Sequence, residues 1–448
     1  MAGKKIGFLE AFSIGVGGMV GGGIFAVLGL TIDLAKGAAP LAFLLAGIIA
    51  LVTAYSYVKL SLRYPSEGGS IEFIIQAFGN GRFASVINNL LLISYVIMLA
   101  LYAYAFGSYG SALFLGSDVL WLHHTLSVGV ITLFMFINLL GTLFTGRAED
   151  VMVFAKLAIL ILFAGVGSMS IEFSHMKPDM WMPMESVVTG GLIIFLAFEG
   201  FELIANTARD IENPKKNLPR AYYASVLFVI VLYVWIAMVT VGNLSFEEAK
   251  VAQDYVLAKA AEPFFGEVGF VVIGVAALLS TASAINATLY GSGRTSYLIA
   301  KHGELPATFE KQIKHGYEGM VIIALLSILF TTLFDINNIS VAGSIGFLIV
   351  FTLVNYANVK LYQETGANRL ISGFGTLLGG VATIVLVWHT LTHQPQALIT
   401  SAIVLFMVVL FTFLYYHLKE RRLASFVDKA LEADERIATN QKIQQKEQ

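Results

Sequence analysis

The sequence predicts an all-α polytopic membrane protein with twelve transmembrane helices, of which helices 1 and 6 are broken. Hydrophobic residues make up 57% of the 448 residues, charged residues only 13%, and the mean hydropathy is +0.77. A soluble globular protein carries about 25% charged residues, so this composition indicates a bilayer protein. Glycine-rich interruptions at 17–23 and around 197–201 lie inside two of the membrane-length apolar segments.

Apolar stretches close to the roughly 20 residues that cross hydrocarbon recur twelve times. In order, spans 1 to 12 are predicted at 6–35, 40–62, 83–115, 121–144, 151–171, 187–208, 220–242, 265–298, 319–334, 338–361, 372–391 and 396–418. The apolar segment 71–78 is too short to cross, so we expect it to lie in the interface. Span 1 follows Lys4 and Lys5 but is long, glycine-broken and followed by eleven more spans, so it is predicted to be retained.

The distribution of positive charge predicts the orientation. With the N-terminus inside, sixteen of the 28 Lys and Arg residues precede span 1 or fall in inside loops, and seven more lie in the C-terminal tail. The outside loops hold four, and the long outside loop at 244–264 is acidic. This asymmetry follows the positive-inside rule and places both termini in the cytoplasm.

Grouping the spans as five, five and two predicts an inverted repeat. Residues 1–171 form the first repeat, 187–361 the inverted second repeat, 372–418 spans 11 and 12, and 419–448 a cytoplasmic tail. Five is odd, so the second half enters the membrane in the opposite orientation, and each half opens with a broken helix. Freed backbone groups are tolerated only in protein or a water-filled cavity, so this LeuT-type arrangement points to a substrate site at mid-membrane.

Four stretches resemble the amino acid–polyamine–organocation (APC) superfamily of permeases over spans 1 to 10. They are IGVGGMVGGGIF at 14–25, FLAFEGFE at 195–202, IENPKKNLPRA at 211–221, and SAINAT at 283–288 followed by KHGELP at 301–306. The loop at 65–69 also resembles the family's Pro-x-x-Gly-Gly element. Ser70 and Glu72 depart from the pattern, because the family often has tyrosine there.

The glycine-rich break in span 1 predicts an anion site. If the helix ends near Met19 and restarts near Gly22, free main-chain N–H groups lie at the positive end of the second half-helix. These N–H groups belong to Gly21, Gly22, Gly23 and Ile24. The resemblance implies that an amino acid's carboxylate binds them. The alternative is close helix packing, because the Gly-x-x-x-Gly spacing occurs twice in this segment.

The span 6 stretch supplies the opposite end of the expected site. Its residues are Leu196, Ala197, Phe198, Glu199 and Gly200. By resemblance, the carbonyls of Leu196 and Glu199, with that of Met19, hold the α-ammonium of the substrate. Phe198 would then lie against the substrate as a gate, or alternatively pack in the core.

Two carboxyls, Glu199 and Glu202, lie one helical turn apart in span 6. A charge at the bilayer centre costs at least about 2.5 kcal/mol on insertion scales, so their presence needs a reason. Glu199 is predicted to contact a basic or polar substrate group or to carry a proton. The alternative is that one or both carboxyls stay protonated and bond neighbouring helices.

Lys156 in span 5 is the most specific candidate for proton coupling. In sodium-coupled relatives a cation lies between spans 1, 5 and 8, and in some proton-coupled or ion-independent members a span 5 lysine occupies that space. Lys156 resembles that lysine, with the Gly17 carbonyl and a span 8 hydroxyl (Ser280, Thr281 or Ser283) as expected partners. A desolvated lysine can lose its proton during a cycle, although Lys156 could instead snorkel to the interface.

The residues argue against an enzyme. There is no cysteine, no His-Glu-x-x-His motif and no intramembrane nucleophile constellation, so no catalytic residue, metal site or cofactor is predicted. The resemblance implies a plasma-membrane transporter that imports amino acids by alternating access with proton symport. Its expected partners are an amino acid or polyamine, protons and the lipid bilayer, and no nucleic acid. Alternatives are an amino-acid or polyamine exchanger and, in another class, a nutrient-sensing receptor.

Overall fold

The computed structural model describes residues 5–141, 146–314 and 316–444, with side chains undescribed at 146–151 and 420–444. Residues 1–4 of the predicted first repeat and 445–448 of the predicted tail lie outside the described residues. The α-helices are α1 (Phe8–Met19), α2 (Gly23–Ala35), α3 (Ala39–Arg63), α4 (Ser70–Phe78), α5 (Arg82–Leu115), α6 (Leu120–Leu140), α7 (Gly146–Gly167), α8 (Met184–Ile194), α9 (Pro214–Asn243), α10 (Phe246–Val251), α11 (Val256–Lys259), α12 (Glu262–Lys301), α13 (Glu318–Leu333), α14 (Ile336–Lys360), α15 (Tyr362–Thr365), α16 (Arg369–His393) and α17 (Pro395–Gln444).

Short elements complete the chain. The 3-10 helices are Ser168–Ser170, Phe173–Met176, Pro178–Met180, Phe195–Thr207, Gln253–Tyr255 and Ala307–Glu310. Strands β1 (Gln312–Ile313) and β2 (Gly316–Tyr317) form one antiparallel hairpin. Two isolated bridges mark the opposite ends of the helical bundle, which we call the Ile6 face (Ile6 with Ile211) and the Trp181 face (Lys36 with Trp181).

The described helices make this a multi-pass membrane protein. Ten are long and apolar enough to cross a bilayer, and the bent pair α1–α2 supplies an eleventh candidate. Helix α13, at predicted span 9, is apolar but has only 16 residues. The predicted interfacial segment forms α4, whose apolar side is buried against the bundle.

Helix 1 is broken where its glycines predict a break. The α-helix stops at Met19 and restarts at Gly23, with a bend of 47° between the two halves. Glycine weakens a helix by about 1 kcal/mol relative to alanine, so consecutive glycines make this the easiest point to unwind.

Helix 6 differs from the prediction, because its winding changes without an interruption. Helix α8 ends at Ile194 and continues directly as the 3-10 helix Phe195–Thr207, giving one crossing from Met184 to Thr207. The expectation of a gap in helix 6 was therefore wrong. A 3-10 helix keeps its backbone bonded while rising about 2.0 Å per residue, and a run of 13 residues is unusually long.

The two irregular helices touch backbone to backbone at a pair of glycines. A Cβ built on Gly200 would lie 2.5 Å from the carbonyl oxygen of Gly18, and one built on Gly18 would lie 2.8 Å from that of Gly200. Real Cβ atoms essentially never come that close to backbone, so both positions need glycine. This contact fixes the break of helix 1 against the 3-10 segment of helix 6.

On the Ile6 face, the loop after α12 is held by a buried carboxyl. Glu304 is fully buried, and Asn88 of α5 donates from Nδ2 to its Oε2 at 2.8 Å. Lys419 donates from Nζ to the neighbouring Gly303 carbonyl at 2.8 Å, which ties α17 to the same loop. Burial is the main cause that raises the pKa of Glu304 to about 7.

Replacing this carboxyl should remove a pH dependence of stability. With a pKa raised from 4.5 to about 7, the folded protein keeps a proton that the unfolded chain releases, so stability falls as pH rises through that window. Glu304→Gln should therefore gain stability at pH 8, up to about 3 kcal/mol, and show a flatter dependence of Tm on pH. Thermal unfolding in detergent from pH 5 to 8, with exposed Glu310→Gln as control, measures this. Identical pH profiles for Glu304→Gln and the wild type would contradict it.

Candidate functional site

A cavity of about 560 Å³ follows the first half of helix 1 into the bundle. Its walls come from α1, α5, α7, α12 and the 3-10 segment of helix 6. It begins beside Ile6 and the exposed side chains of Leu9 and Glu10, and it reaches Tyr102 and Glu199 near the break. The cavity therefore opens toward the Ile6 face.

The carbonyls released by the break in helix 1 are met by side chains from three other helices. Lys156 Nζ donates to the Gly17 carbonyl at 3.3 Å, Tyr233 Oη to that of Met19 at 2.7 Å, and Ser280 Oγ to that of Gly21 at 2.9 Å. The last turn of a helix leaves carbonyls without intrahelical partners, and hydrocarbon offers none. The α7, α9 and α12 side chains thus make the break possible at this depth.

Lys156 lies where the sequence analysis expected it, beside the break. Its side chain is 3% exposed, and the neighbouring Val153 and Phe154 line the cavity. A snorkelling lysine keeps its ammonium in water, whereas Lys156 directs its Nζ to a main-chain carbonyl inside the protein.

The three hydroxyls expected near Lys156 have different surroundings. Ser280 bonds the Gly21 carbonyl, Thr281 donates to the Ala277 carbonyl at 2.7 Å, and Ser283 lines the cavity. All three belong to α12, so the structure brings α1, α7 and α12 together around the break.

The N–H groups expected to bind a carboxylate lie behind the cavity wall in this conformation. The residues Gly21, Gly22, Gly23 and Ile24 are all buried. A Cβ built on Gly21 would lie 3.6 Å from the hydroxyl of Tyr102 and 3.2 Å from Ala284 Cβ, and both residues line the cavity. The aromatic ring of Tyr102 therefore covers the start of α2. Of the predicted site residues, Gly17, Glu199 and Ser283 face the cavity directly.

The expected ammonium site is shared with a tyrosine that the sequence analysis missed. Tyr233 of α9 donates to the Met19 carbonyl and lies 3.5 Å from the Ala197 carbonyl. Its ring packs edge-on against Phe198, with 5.2 Å between centroids, and Phe198 is fully buried. Phe198 is thus packed in the core in this conformation, and Leu196 and Gly200 are buried as well. Only its position within an apolar span could have signalled Tyr233.

The two glutamates of helix 6 have different environments. Glu202 accepts hydrogen bonds from Ser70 Oγ at 2.7 Å, from Tyr57 Oη at 3.1 Å and from the hydroxyl of Tyr95. Three hydroxyls from α3, α4 and α5 thus hold this carboxyl as a link between helices. Ser70, which departs from the family pattern, is one of them.

Glu199 faces the cavity with part of its hydrogen-bonding capacity unused. The hydroxyl of Tyr102 bonds its carboxyl, whereas Oε2 has no hydrogen-bond partner among the residues that the structure describes. The residue is 6% exposed and lines the cavity wall. A buried, unsatisfied oxygen at the inner end of a cavity can accept a hydrogen bond or a cation from a bound molecule.

The family described as amino acid permease matches residues 6–418. The chain belongs to this family. Among similar proteins, an uncharacterised protein of Methanocaldococcus jannaschii is 36% identical over 87% of this chain and 91% of its own length. The inner membrane transport protein YbaT of Escherichia coli is 31% identical, over 88% and 93%. The branched-chain amino acid permease BcaP of Bacillus subtilis is 23% identical, over 81% of each chain.

Family membership identifies a membrane transporter of amino acids rather than an enzyme. The cavity supplies what such a protein needs, because it leads from one face to irregular backbone within the span-forming helices. At the break, a bound ligand can replace protein side chains as the hydrogen-bond partner of main-chain groups.

Proposed function

We propose that this protein imports amino acids by alternating access, as a proton-coupled secondary transporter of the plasma membrane. The observation that carries the proposal is the cavity that ends at the broken helix 1, beside Lys156 and Glu199. This place brings together the Lys156 ammonium, the Glu199 carboxyl and main-chain dipoles. The cavity opens toward the Ile6 face and reaches the break, as expected for a carrier with its site exposed to that side.

The proposed topology has twelve crossings in a LeuT-type five-plus-five inverted repeat. Helix α13 supplies the ninth crossing, and both termini lie in the cytoplasm, so the Ile6 face is internal. The repeats occupy 1–171 and 187–361, followed by spans 11 and 12 at 372–418 and the tail. Rocking of spans 1, 2, 6 and 7 against the remainder would open the site to each side in turn.

In this proposal the substrate is held mainly by backbone. Its carboxylate binds the N–H groups at the start of α2, and its ammonium binds the carbonyls of Met19, Leu196 and Glu199, the last two being released when the 3-10 segment of helix 6 unwinds. In this conformation Tyr233 bonds the Met19 carbonyl, and the ring of Tyr102 covers the start of α2. Substrate binding must therefore displace the ring of Tyr102. Phe198 would follow as a gate when helix 6 moves.

Proton coupling is assigned to Lys156, with Gly17 and Ser283 nearby. The ammonium form bonds the Gly17 carbonyl and ties α7 to α1. Loss of the proton weakens this charge-assisted bond and lets the two helices separate. Protonation of Lys156 is thereby linked to the position of helix 1, which supplies the N–H groups at the start of α2 and the Met19 carbonyl for substrate binding.

Flux measurements in proteoliposomes test the proposal. An inward proton gradient should drive accumulation of an amino acid without internal substrate, and a thermal-shift screen of amino acids and polyamines selects the substrate to use. Uptake that requires preloaded substrate would favour the amino-acid or polyamine exchanger. Tight binding without flux would favour the nutrient receptor. Because BcaP is a branched-chain amino acid permease, branched-chain amino acids are the first candidates to test.

Glu199 is expected to tune which side chains are accepted. Its unsatisfied Oε2 faces the cavity, so Glu199→Gln should weaken competition by cationic amino acids about tenfold relative to apolar ones, roughly 1.4 kcal/mol. Competition against labelled substrate measures the profile, and Glu267→Gln, an exposed carboxyl on α12, is the matched control. A profile unchanged across amino acids would leave Glu199 with a structural role.

A further inference from the structure

A second group of potentially metal-ligating side chains lies on the Trp181 face, at the opposite end of the helical bundle from the mouth of the cavity. Glu185 in the first turn of α8 meets His389 and His393 at the end of α16. Their potential ligand atoms, one from each residue, lie within 4.8 Å of one another. The two histidines alone did not predict a metal site, because the third ligand comes from a helix about 200 residues earlier in the chain.

The two imidazoles are arranged as a pair one helical turn apart. Their rings stack with centroids 4.3 Å apart and planes inclined by 16°. His389 is only 2% exposed, yet neither of its ring nitrogens has a hydrogen-bond partner among the described residues. An unsatisfied buried polar group costs about 1–3 kcal/mol, and a metal ion bound to this ring would offset that cost.

The hydrogen bonds of His393 leave the correct nitrogen available. Its Nδ1 lies 2.8 Å from Thr392 Oγ1 and 3.2 Å from the His389 carbonyl, and the Thr392 hydroxyl donates to carbonyls of α16. Because both neighbours of Nδ1 are then acceptors, Nδ1 carries the proton and Nε2 has a free lone pair. Metal-bound histidines are usually oriented by such a bond from the other ring nitrogen.

We propose that Glu185, His389 and His393 form a binding site for a divalent transition-metal ion, Zn²⁺ foremost. Two imidazoles and one carboxylate are a ligand set that zinc accepts, with water at the fourth position. Zinc bonds of about 2.0–2.2 Å put tetrahedral ligand atoms roughly 3.4 Å apart. Atoms up to 4.8 Å apart must therefore approach by at most about 1.4 Å, which the exposed side chains of Glu185 and His393 can supply by rotation.

The position of the site means that a bound metal ion would restrain helix 6. Helix α8 continues directly into the 3-10 segment that carries Glu199 and Gly200, whereas α16 lies outside the proposed repeats. A zinc ion would therefore tie the outer end of helix 6 to a helix that stays still during rocking. The expected result is inhibition of transport by zinc added on the Trp181 face.

Isothermal titration of the full-length protein with ZnCl₂, purified without a polyhistidine tag, tests the site. One equivalent should bind, and Glu185→Gln, His389→Gln and His393→Gln should each weaken binding at least tenfold, since even outer-shell partners of metal ligands are worth 10–100-fold. His175→Gln is the matched control, because His175 lies on the same face, 3.6 Å from Glu172, in a two-residue pair. Absent binding, or equal binding in wild type and Glu185→Gln, overturns the proposal.

A transport assay tests whether zinc inhibits uptake. This assay rests on the proposed function, whereas the titration does not. Zinc outside proteoliposomes should slow uptake by the wild type at least fivefold, and Glu185→Gln should resist it. Binding without inhibition would keep the metal site and overturn the tie between α8 and α16. Flux absent even without zinc would count against the proposed transport function and leave the titration result standing.

Discussion

Lys156→Ala should abolish proton-driven uptake, with initial rates at least about 100-fold below those of the wild type, or roughly 2.7 kcal/mol. The variant removes the titrating ammonium that bonds the Gly17 carbonyl at the break of helix 1. Without it, protonation no longer influences the position of α1. Uptake of labelled amino acid into proteoliposomes under an inward proton gradient measures the effect.

Lys156→Gln separates titration from hydrogen bonding. Its amide still donates to a carbonyl, so the break stays satisfied, but it has no proton to release at physiological pH. We expect folded protein with a normal thermal shift on substrate addition and no pH-driven accumulation. Exposed Lys177→Ala is the control for loss of a positive charge. Normal proton-driven flux in either Lys156 variant would remove this residue from the mechanism.

Gly200→Ala should reduce transport by displacing the backbone of helix 6 from the break of helix 1. The added methyl group would lie 2.5 Å from the Gly18 carbonyl oxygen, and backbone cannot yield as a flexible side chain can. Relieving the overlap must push the 3-10 segment away from the break of helix 1, and overpacking of this kind costs about 1–3 kcal/mol. We expect a lower Tm and uptake reduced at least tenfold.

Gly380→Ala is the matched control, because it makes the same change within a membrane helix. A Cβ built on Gly380 in α16 meets no atom within 4 Å, so alanine should be neutral or stabilise the helix by up to about 1 kcal/mol. Equal Tm and equal uptake in Gly200→Ala and the wild type would show that the contact with Gly18 is dispensable.

The sequence predicted well those features that depend on local composition. Long apolar segments predicted the ten or, with the bent pair, eleven candidate crossings among the described residues, and clustered glycines predicted the break of helix 1 between Met19 and Gly23. The family resemblance suggested the Gly17 carbonyl as a neighbour of Lys156, and Lys156 Nζ lies 3.3 Å from it. Helix 6 was mispredicted as interrupted, since a single glycine in 195–201 permits rewinding as a 3-10 helix that keeps its bonds.

The sequence alone determined a multi-pass membrane protein with a weak point in its first helix, because hydropathy and glycine act through neighbouring residues. Tertiary structure decided the rest. Contacts between distant helices decide which hydroxyls bond Glu202 and which side chains, Tyr233 and Ser280, bond the freed carbonyls of helix 1. They also place Glu185 beside His389. Such pairings follow from how twisted, broken helices pack together, and no periodicity within one segment encodes them.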